Sequence, residues 1–230
     1  MKKHYPFFVC LFVALSSFLL SCGGSSDTGN KNSEATSSAN GHEYVDLGLS
    51  VKWATCNVGA SSPEEYGGYY AWGETTEKDD YIWETYKWCN SDKNSLTKYC
   101  TDSYYGKIDN RMVLAPEDDV AHVKWGGTWR MPTIEEMKEL REECTWQWTS
   151  RRGVDGYRVI GPNGKSIFLP AAGYRYGTGV SRRGSSGYYW SSSLSSDLSS
   201  SACDLGFDSD YLYCYYDHRC GGHSVRPVSK

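Results

Sequence analysis

Apolar and polar residues alternate at period two from Val45 through Leu47, Leu49 and Val51 to Trp53, which predicts a strand or a tight hairpin around Gly48. Residues 66–74 (YGGYYAWGE) predict a second, aromatic strand, and the polar stretch 76–110, with scattered Tyr and Trp, predicts long loops. Pro116 followed by Glu117, Asp118 and Asp119 predicts a helix start, because Pro suits a first turn and acids complement the dipole there; Gly126-Gly127 ends it. A clearer helix follows Pro132. Thr133 and Glu136 have capping-box spacing, and Ile134, Met137, Leu140 and Cys144 share one face. Tyr157–Ile160 and Ser166–Leu169 flank Pro162-Asn163-Gly164-Lys165, a hairpin with Asn-Gly at its turn. Beyond Pro170 come Gly, Ser and Tyr with isolated apolar residues and no helical period. Two helices early and irregular β structure late predict an α+β domain over 42–230.

The N-terminus has a different pattern. Lys2 and Lys3 precede an apolar run from Tyr5 to Leu20, shorter than the roughly 20 residues a spanning helix needs, so 1–21 is expected to be a signal peptide. It ends in Leu19-Leu20-Ser21-Cys22, which resembles a bacterial lipobox; that resemblance implies acylation of Cys22 and stable anchoring by more than one chain. Residues 22–41 are then the lipidated Cys and a Ser/Gly-rich flexible tether, too polar to offset chain entropy by burial. The expected location is a membrane-anchored lipoprotein, on the outer membrane and at the cell surface.

Composition removes some functions. With a net charge of −4 there is no cationic excess to release phosphate counterions, so no nucleic-acid partner is expected. Apart from Cys10 and Cys22, seven cysteines remain (56, 89, 100, 144, 203, 214 and 220), an odd number that cannot form a complete disulfide framework. Cys89 and Cys100 are candidates for a loop bridge, and Cys144 for a small buried hydrophobe. No two cysteines have zinc-site spacing, and no catalytic triad order, phosphate loop or zinc-protease helix is present; no metal or cofactor is expected.

The segments WATCNVGA (53–60), YYAWGE (69–74), WGGTWRMPT (125–133), IFLPAAGYR (167–175), YYWSSS (188–193) and SVRPV (224–228) resemble, in order, the Fibrobacter succinogenes major paralogous domain. That family is grouped with C-type lectin-like folds of the formylglycine-generating-enzyme branch. The resemblance implies a C-type lectin-like fold with two helices, a small antiparallel β core, long loops, and N- and C-terminal strands that meet. The calcium motifs of sugar-binding lectins (Glu-Pro-Asn, Gln-Pro-Asp, Trp-Asn-Asp) are absent from the sequence. Cys214 and Cys220 form a late pair, as in the formylglycine-generating enzymes, but their neighbours do not resemble that active site.

Lys, Glu, Gln and Met occur 30 times in residues 1–170 and not at all in 171–229. Codons ending in T or C exclude those four residues and Trp, and Trp190 is the single Trp in the segment. Diversity-generating retroelements, which mutate adenines in such codons, act on the C-terminal part of lectin-like lipoproteins, so the resemblance implies a variable ligand-binding region over 171–229. Strand and loop composition is the alternative source of the skew. Leu194, Ala202, Leu205, Phe207, Leu212, Val225 and Val228 are then the expected buried frame, with Trp190 as scaffold. The expected contact positions are Ser195, Ser196, Asp197, Asp208, Asp210, Tyr211, Tyr213, Cys214, Tyr215, Tyr216, Asp217, His218 and His223, with Arg182 and Arg183 adding cationic contacts. Tyr with Ser, Gly and Asp is a paratope-like mixture suited to a protein or glycan ligand without catalysis. Because Tyr211, Tyr213 and Tyr215 share one parity, the sequence leaves open whether they point outward or into the core. An altered formylglycine-generating-type enzyme and a structural adhesin subunit remain the alternatives.

Overall fold

A computed structural model of the protein describes residues 37–230. The expected signal peptide (1–21), Cys22 and the tether through residue 36 lie outside the described residues. The tether ends sooner than expected: strand β1 (Ser37–Ala39) pairs antiparallel with β2 (His42–Val45) across an Asn40-Gly41 turn, both residues at positive φ.

The period-two run folds as a hairpin-like return. β2 pairs with β3 (Lys52–Ala54), Val45 opposite Trp53, and Gly48 sits at φ +81° in the connection. The last strand, β12 (Val228–Ser229), adds to the other edge of β3 with Val228 opposite Trp53. The two ends of the domain are thereby held in one sheet.

Pro116–Asp118 forms a 3-10 turn rather than the start of the helix. The helix α1 (Val120–Trp125) begins one residue later, where the Asp119 side chain accepts the N–H groups of Ala121 and His122, and it stops at Gly126. Helix α2 (Ile134–Glu143) carries the expected capping box in both directions, with Met137 and Leu140 buried. Cys144 is its extended C-cap and packs half-buried against the core.

A three-stranded antiparallel sheet follows: β4 (Thr145–Arg151), β5 (Val154–Ile160) and β6 (Ser166–Pro170), with Gly164 at φ +82° in the expected β5–β6 turn. The sequence pattern had no place for β4. Its exposed positions are polar, but its inward residues are Trp146 and Trp148, which pack on Tyr157 and Phe207. After a short hairpin of β7 (Tyr174–Tyr176) and β8 (Gly179–Ser181) comes the second three-stranded sheet. It consists of β9 (Ser186–Leu194), β10 (Ser201–Asp208) and β11 (Leu212–His218), ordered β11-β10-β9. The class is α+β, with two α-helices among the described residues and all sheets antiparallel.

Residues 66–74 are not a strand. They form a buried irregular segment joined to the C-terminal part by an isolated bridge, Tyr70 to His223, and by the Trp72 N–H donating to Arg219 O. Side-chain donors fix it further: its own Trp72 Nε1 donates to Ser191 O, while Tyr86 Oη and Trp190 Nε1 donate to its Trp72 and Tyr70 carbonyls. All seven described cysteines are free, so the Cys89–Cys100 bridge is not formed.

The recurring segments meet at one buried node. Arg226 donates from Nε to Asn57 Oδ1, from Nη1 to the carbonyls of Ala54 and Thr55, and from Nη2 to Phe168 O. Tyr189 Oη donates to Pro170 O and faces Asn57. WATCNVGA, IFLPAAGYR, YYWSSS and SVRPV are therefore frame sequences: they satisfy each other's buried polar groups.

Candidate functional site

The register of the β9–β11 sheet separates two faces. Tyr189 on β9, Leu205 and Phe207 on β10, and Leu212 and Cys214 on β11 turn toward the core that includes α2. Tyr188, Gly206, Tyr213, Tyr215 and Asp217 turn the other way. The open question of parity is thus answered: Tyr211, Tyr213 and Tyr215 are 70%, 37% and 57% exposed, and their partners in alternation go inward. Phe207 and Leu212 lie opposite each other, so the apolar side of β11 is fixed by what α2 and β10 offer it.

Tyr213 is the least exposed of the three because it lies across β10. A Cβ built on Gly206 would come within 2.3 Å of its ring, so glycine is what allows the ring to lie flat. Burial, followed by the neighbouring Tyr188, pushes the Tyr213 phenol up and keeps it protonated. Gly187 does the same for the buried face, where a Cβ would meet the Phe207 ring at 2.2 Å.

Beside this face is a cleft of about 300 Å³. The β7–β8 hairpin supplies Tyr174, Arg175 and Tyr176, the turn after β8 supplies Arg182, and β9 supplies Tyr188. The end of β11 and the following turn supply Asp217, His218, Gly221 and His223. Three backbone joints hold these pieces together. Arg175 and Gly222 exchange hydrogen bonds of 2.8 and 2.9 Å, His223 and Tyr70 exchange bonds of 3.1 and 3.0 Å, and Ser224 N donates to Tyr188 O at 3.1 Å. Arg182 has φ +56°, and its carbonyl accepts the N–H groups of Ser185 and Ser186. A non-glycine residue in the left-handed region is held there by its surroundings.

His223 is the centre of the polar floor. It is buried, stacks on Trp190 at 3.9 Å, and places Nε2 3.5 Å from Asp217 Oδ2 and Nδ1 3.9 Å from Asp204 Oδ2. The two carboxyls respond in opposite directions. Burial pushes Asp204 up to about 7, with His223 opposing the rise. Burial also acts upward on Asp217, but the contact with His223 and the N–H of His218 outweigh it and hold that carboxyl below the usual range.

Four of the expected contact residues line the cleft: Arg182, Asp217, His218 and His223. His223 does so as a buried floor, not as an exposed contact. Tyr213 and Tyr215 stand on the adjoining face, while Tyr211 projects at the far turn between β10 and β11. The others are placed elsewhere. Ser195 is buried, and its Oγ accepts the N–H groups of Asp197 and Leu198, so it shapes a loop in which Ser196 and Asp197 are exposed. Asp208 accepts the N–H groups of Asp210 and Tyr211 and so builds the far turn, with Asp210 exposed on it. Cys214 packs inward, and its thiol is pushed up to about 11 by burial. Tyr216 is half-buried and stacks on Tyr215 at 4.2 Å. Arg183 donates to Tyr69 Oη and covers the rings of Tyr66 and Tyr69 instead of entering the cleft.

The sequence reading missed Tyr174, Arg175, Tyr176 and Tyr188 as lining residues, and Asp204 behind His223. The YRY alternation at 174–176 was a usable signal. Asp204 had none: an acid between Cys203 and Leu205 in an apolar strand gives no indication of its neighbour 19 residues later. Among the described residues no group of three or more His, Cys, Asp or Glu side chains is arranged to hold a metal ion. Nor is any described helix long and apolar enough to cross a membrane.

Searches of curated proteins and of solved structures return no match. A family model does match residues 86–228, a span that contains α1, α2, all of the β9–β11 sheet and every residue of the cleft. With well over half its length matched, the chain belongs to the family described as Domain of unknown function (DUF8237).

Proposed function

We propose that this chain is a membrane-anchored, surface-displayed lipoprotein that binds a ligand through its C-terminal face, without catalysis, in a C-type lectin-like fold. One observation carries the reading: every residue of the cleft falls between 174 and 223, inside the segment that lacks Lys, Glu, Gln and Met. A skew confined to loops would have no reason to coincide with a concave, tyrosine-walled site. Pairing of β3 with β12 is what a lectin-like arrangement asks for. Acylation at Cys22 and the tether behind it would hold the cleft away from the membrane.

The binding reading is favoured over an enzyme of the formylglycine-generating type by the state of the late cysteines. Cys214 packs against the core containing α2, whereas Cys220 is buried in a different cluster with Tyr81, Tyr86 and Cys100. Burial pushes the two thiols up to about 11 and about 12, so neither is a thiolate at neutral pH.

Joint replacement of Tyr213, Tyr215 and Tyr216 by Ala should abolish binding to whichever member of a glycan array or displayed-peptide library the full chain captures. The fold should survive, with a loss of no more than about 2 kcal/mol, because Tyr215 is exposed and Tyr213 and Tyr216 are only partly covered. The test is array binding alongside urea unfolding. Retained capture, or a variant that fails to fold, would reject the assignment of this face. Retroelement diversification carries its own requirement: a reverse transcriptase gene beside this one, with a near-repeat of the 171–229 coding sequence. A genomic neighbourhood without either removes it.

A further inference from the structure

We infer that the cleft takes one acidic sugar residue, its carboxylate on Arg182 and His218 and its ring against the tyrosine walls. This rests on the ligand-binding reading above and adds the chemical class of the ligand.

Charge is the first ground. The lining has two arginines against one carboxylate, Asp217, which is already engaged by His223 and by the His218 N–H. Arg175 is committed, donating to the carbonyls of Lys78, Asp79 and Thr178. Arg182 is not. It is exposed, and among the described residues its guanidinium has no hydrogen-bond or ion-pair partner. Its backbone, however, is locked in the left-handed turn by two N–H donors. A free planar fork on a fixed base at the mouth of a cleft suits a carboxylate, which it can bind through two parallel hydrogen bonds.

Shape and acceptors narrow the class. A volume of about 300 Å³ is at the lower limit of small-molecule sites. It suits one pyranose ring, whereas an aspartate or glutamate side chain would leave the walls uncovered. Tyr174 and Tyr188 meet edge to face at 5.0 Å and 72°, which leaves aromatic surface for the C–H side of a sugar. Asp217 retains lone pairs that accept hydroxyl donors, which a sugar carries around its ring and an unsubstituted carboxylic acid lacks. The same carboxylate disfavours a doubly charged phosphate more than a singly charged uronate.

Titration of the full chain with glucuronate and galacturonate, followed by calorimetry and by the ring signals of its histidines, tests the inference. Both uronates should bind and shift His218 and His223, and glucose should bind at least about tenfold more weakly. Arg182→Gln should cost about tenfold in uronate affinity and nothing for glucose, with unfolding in urea unchanged. Glucose binding as tightly as glucuronate would overturn the inference, as would full uronate affinity in the Arg182→Gln chain. A short acidic peptide that shifts the two histidines where uronates do not would also overturn it, while leaving the cleft as a binding site. If no probe shifts them and the tyrosine variant binds as the parent does, the ligand-binding reading itself fails.

Discussion

Arg219→Met should destabilise the protein by about 3–5 kcal/mol, the usual cost of breaking a buried charged network from one side. Arg219 is fully buried directly after β11. Its Nε donates to Tyr86 Oη at 2.9 Å, Nη1 to the carbonyls of Tyr99 and Ser199 at 2.9 and 2.8 Å, and Nη2 to Lys98 O at 3.0 Å. Among the described residues no carboxylate pairs with it. Carbonyl dipoles and the ring faces of Trp72 and Tyr86, 5.1 and 5.3 Å away, take that part. Methionine has similar length but no donors, so the carbonyls of Lys98, Tyr99 and Ser199 would lose their donor, while Tyr86 Oη would keep its bond to Trp72 O. Lysine keeps the charge without the fork and should recover only part of the loss. Urea unfolding of the three chains measures this, and a loss below about 1 kcal/mol for methionine would contradict the geometry. The effect should also reach the cleft, because the turn anchored by Arg219 carries His218, Gly221 and His223.

Asp204→Asn should remove a pH dependence that the parent chain shows between about pH 4 and 7. The folded-state value of Asp204, about 7, lies above that of an unfolded aspartate, so the native state binds the extra proton in this window. Its stabilising contribution is fully present below about pH 4, declines as pH rises, and is lost above about pH 7, where the fold must bury a carboxylate. Between pH 5 and pH 8 the parent should therefore lose on the order of 3 kcal/mol relative to the Asn variant. Asp217 acts with the opposite sign. Held below its ordinary value, it contributes stability that is lost only as pH falls through the acid range. Urea unfolding of both chains at pH 5 and pH 8 separates the two windows. An identical pH response in parent and variant would mean that Asp204 is not held up by burial.

Local features of the fold were legible where the chain states its own geometry. The Thr133–Glu136 pair fixed the start of α2, and Asn163-Gly164 fixed the β5–β6 turn, because capping and turn formation depend on residues three or four apart. The same reasoning failed for residues 66–74. Tyr and Trp are strand formers on average, yet here their polar atoms find partners in β9 and the C-terminal segment, and the backbone meets that segment only at isolated points, without a continuous ladder. It failed for β4 as well, since a strand whose inward residues are two tryptophans among polar ones gives a weak apolar signal.

By itself the sequence determined three things: the α+β class, the α2 helix with its caps, and the β5–β6 turn. Each follows from composition or short-range spacing, which need no partner to be read. Only the tertiary structure decided which tyrosines of β11 face outward, because that parity is set by the packing of Leu212 and Cys214 on the far side of the strand. It also decided that Ser195 and Asp208 build turns, and that Asp204, His223 and Asp217 form one line. Asp204 lies on β10, Asp217 on β11 and His223 in the segment after it, and the opposite proton affinities of the two carboxyls arise from burial and from His223 between them, a property no single stretch of chain contains.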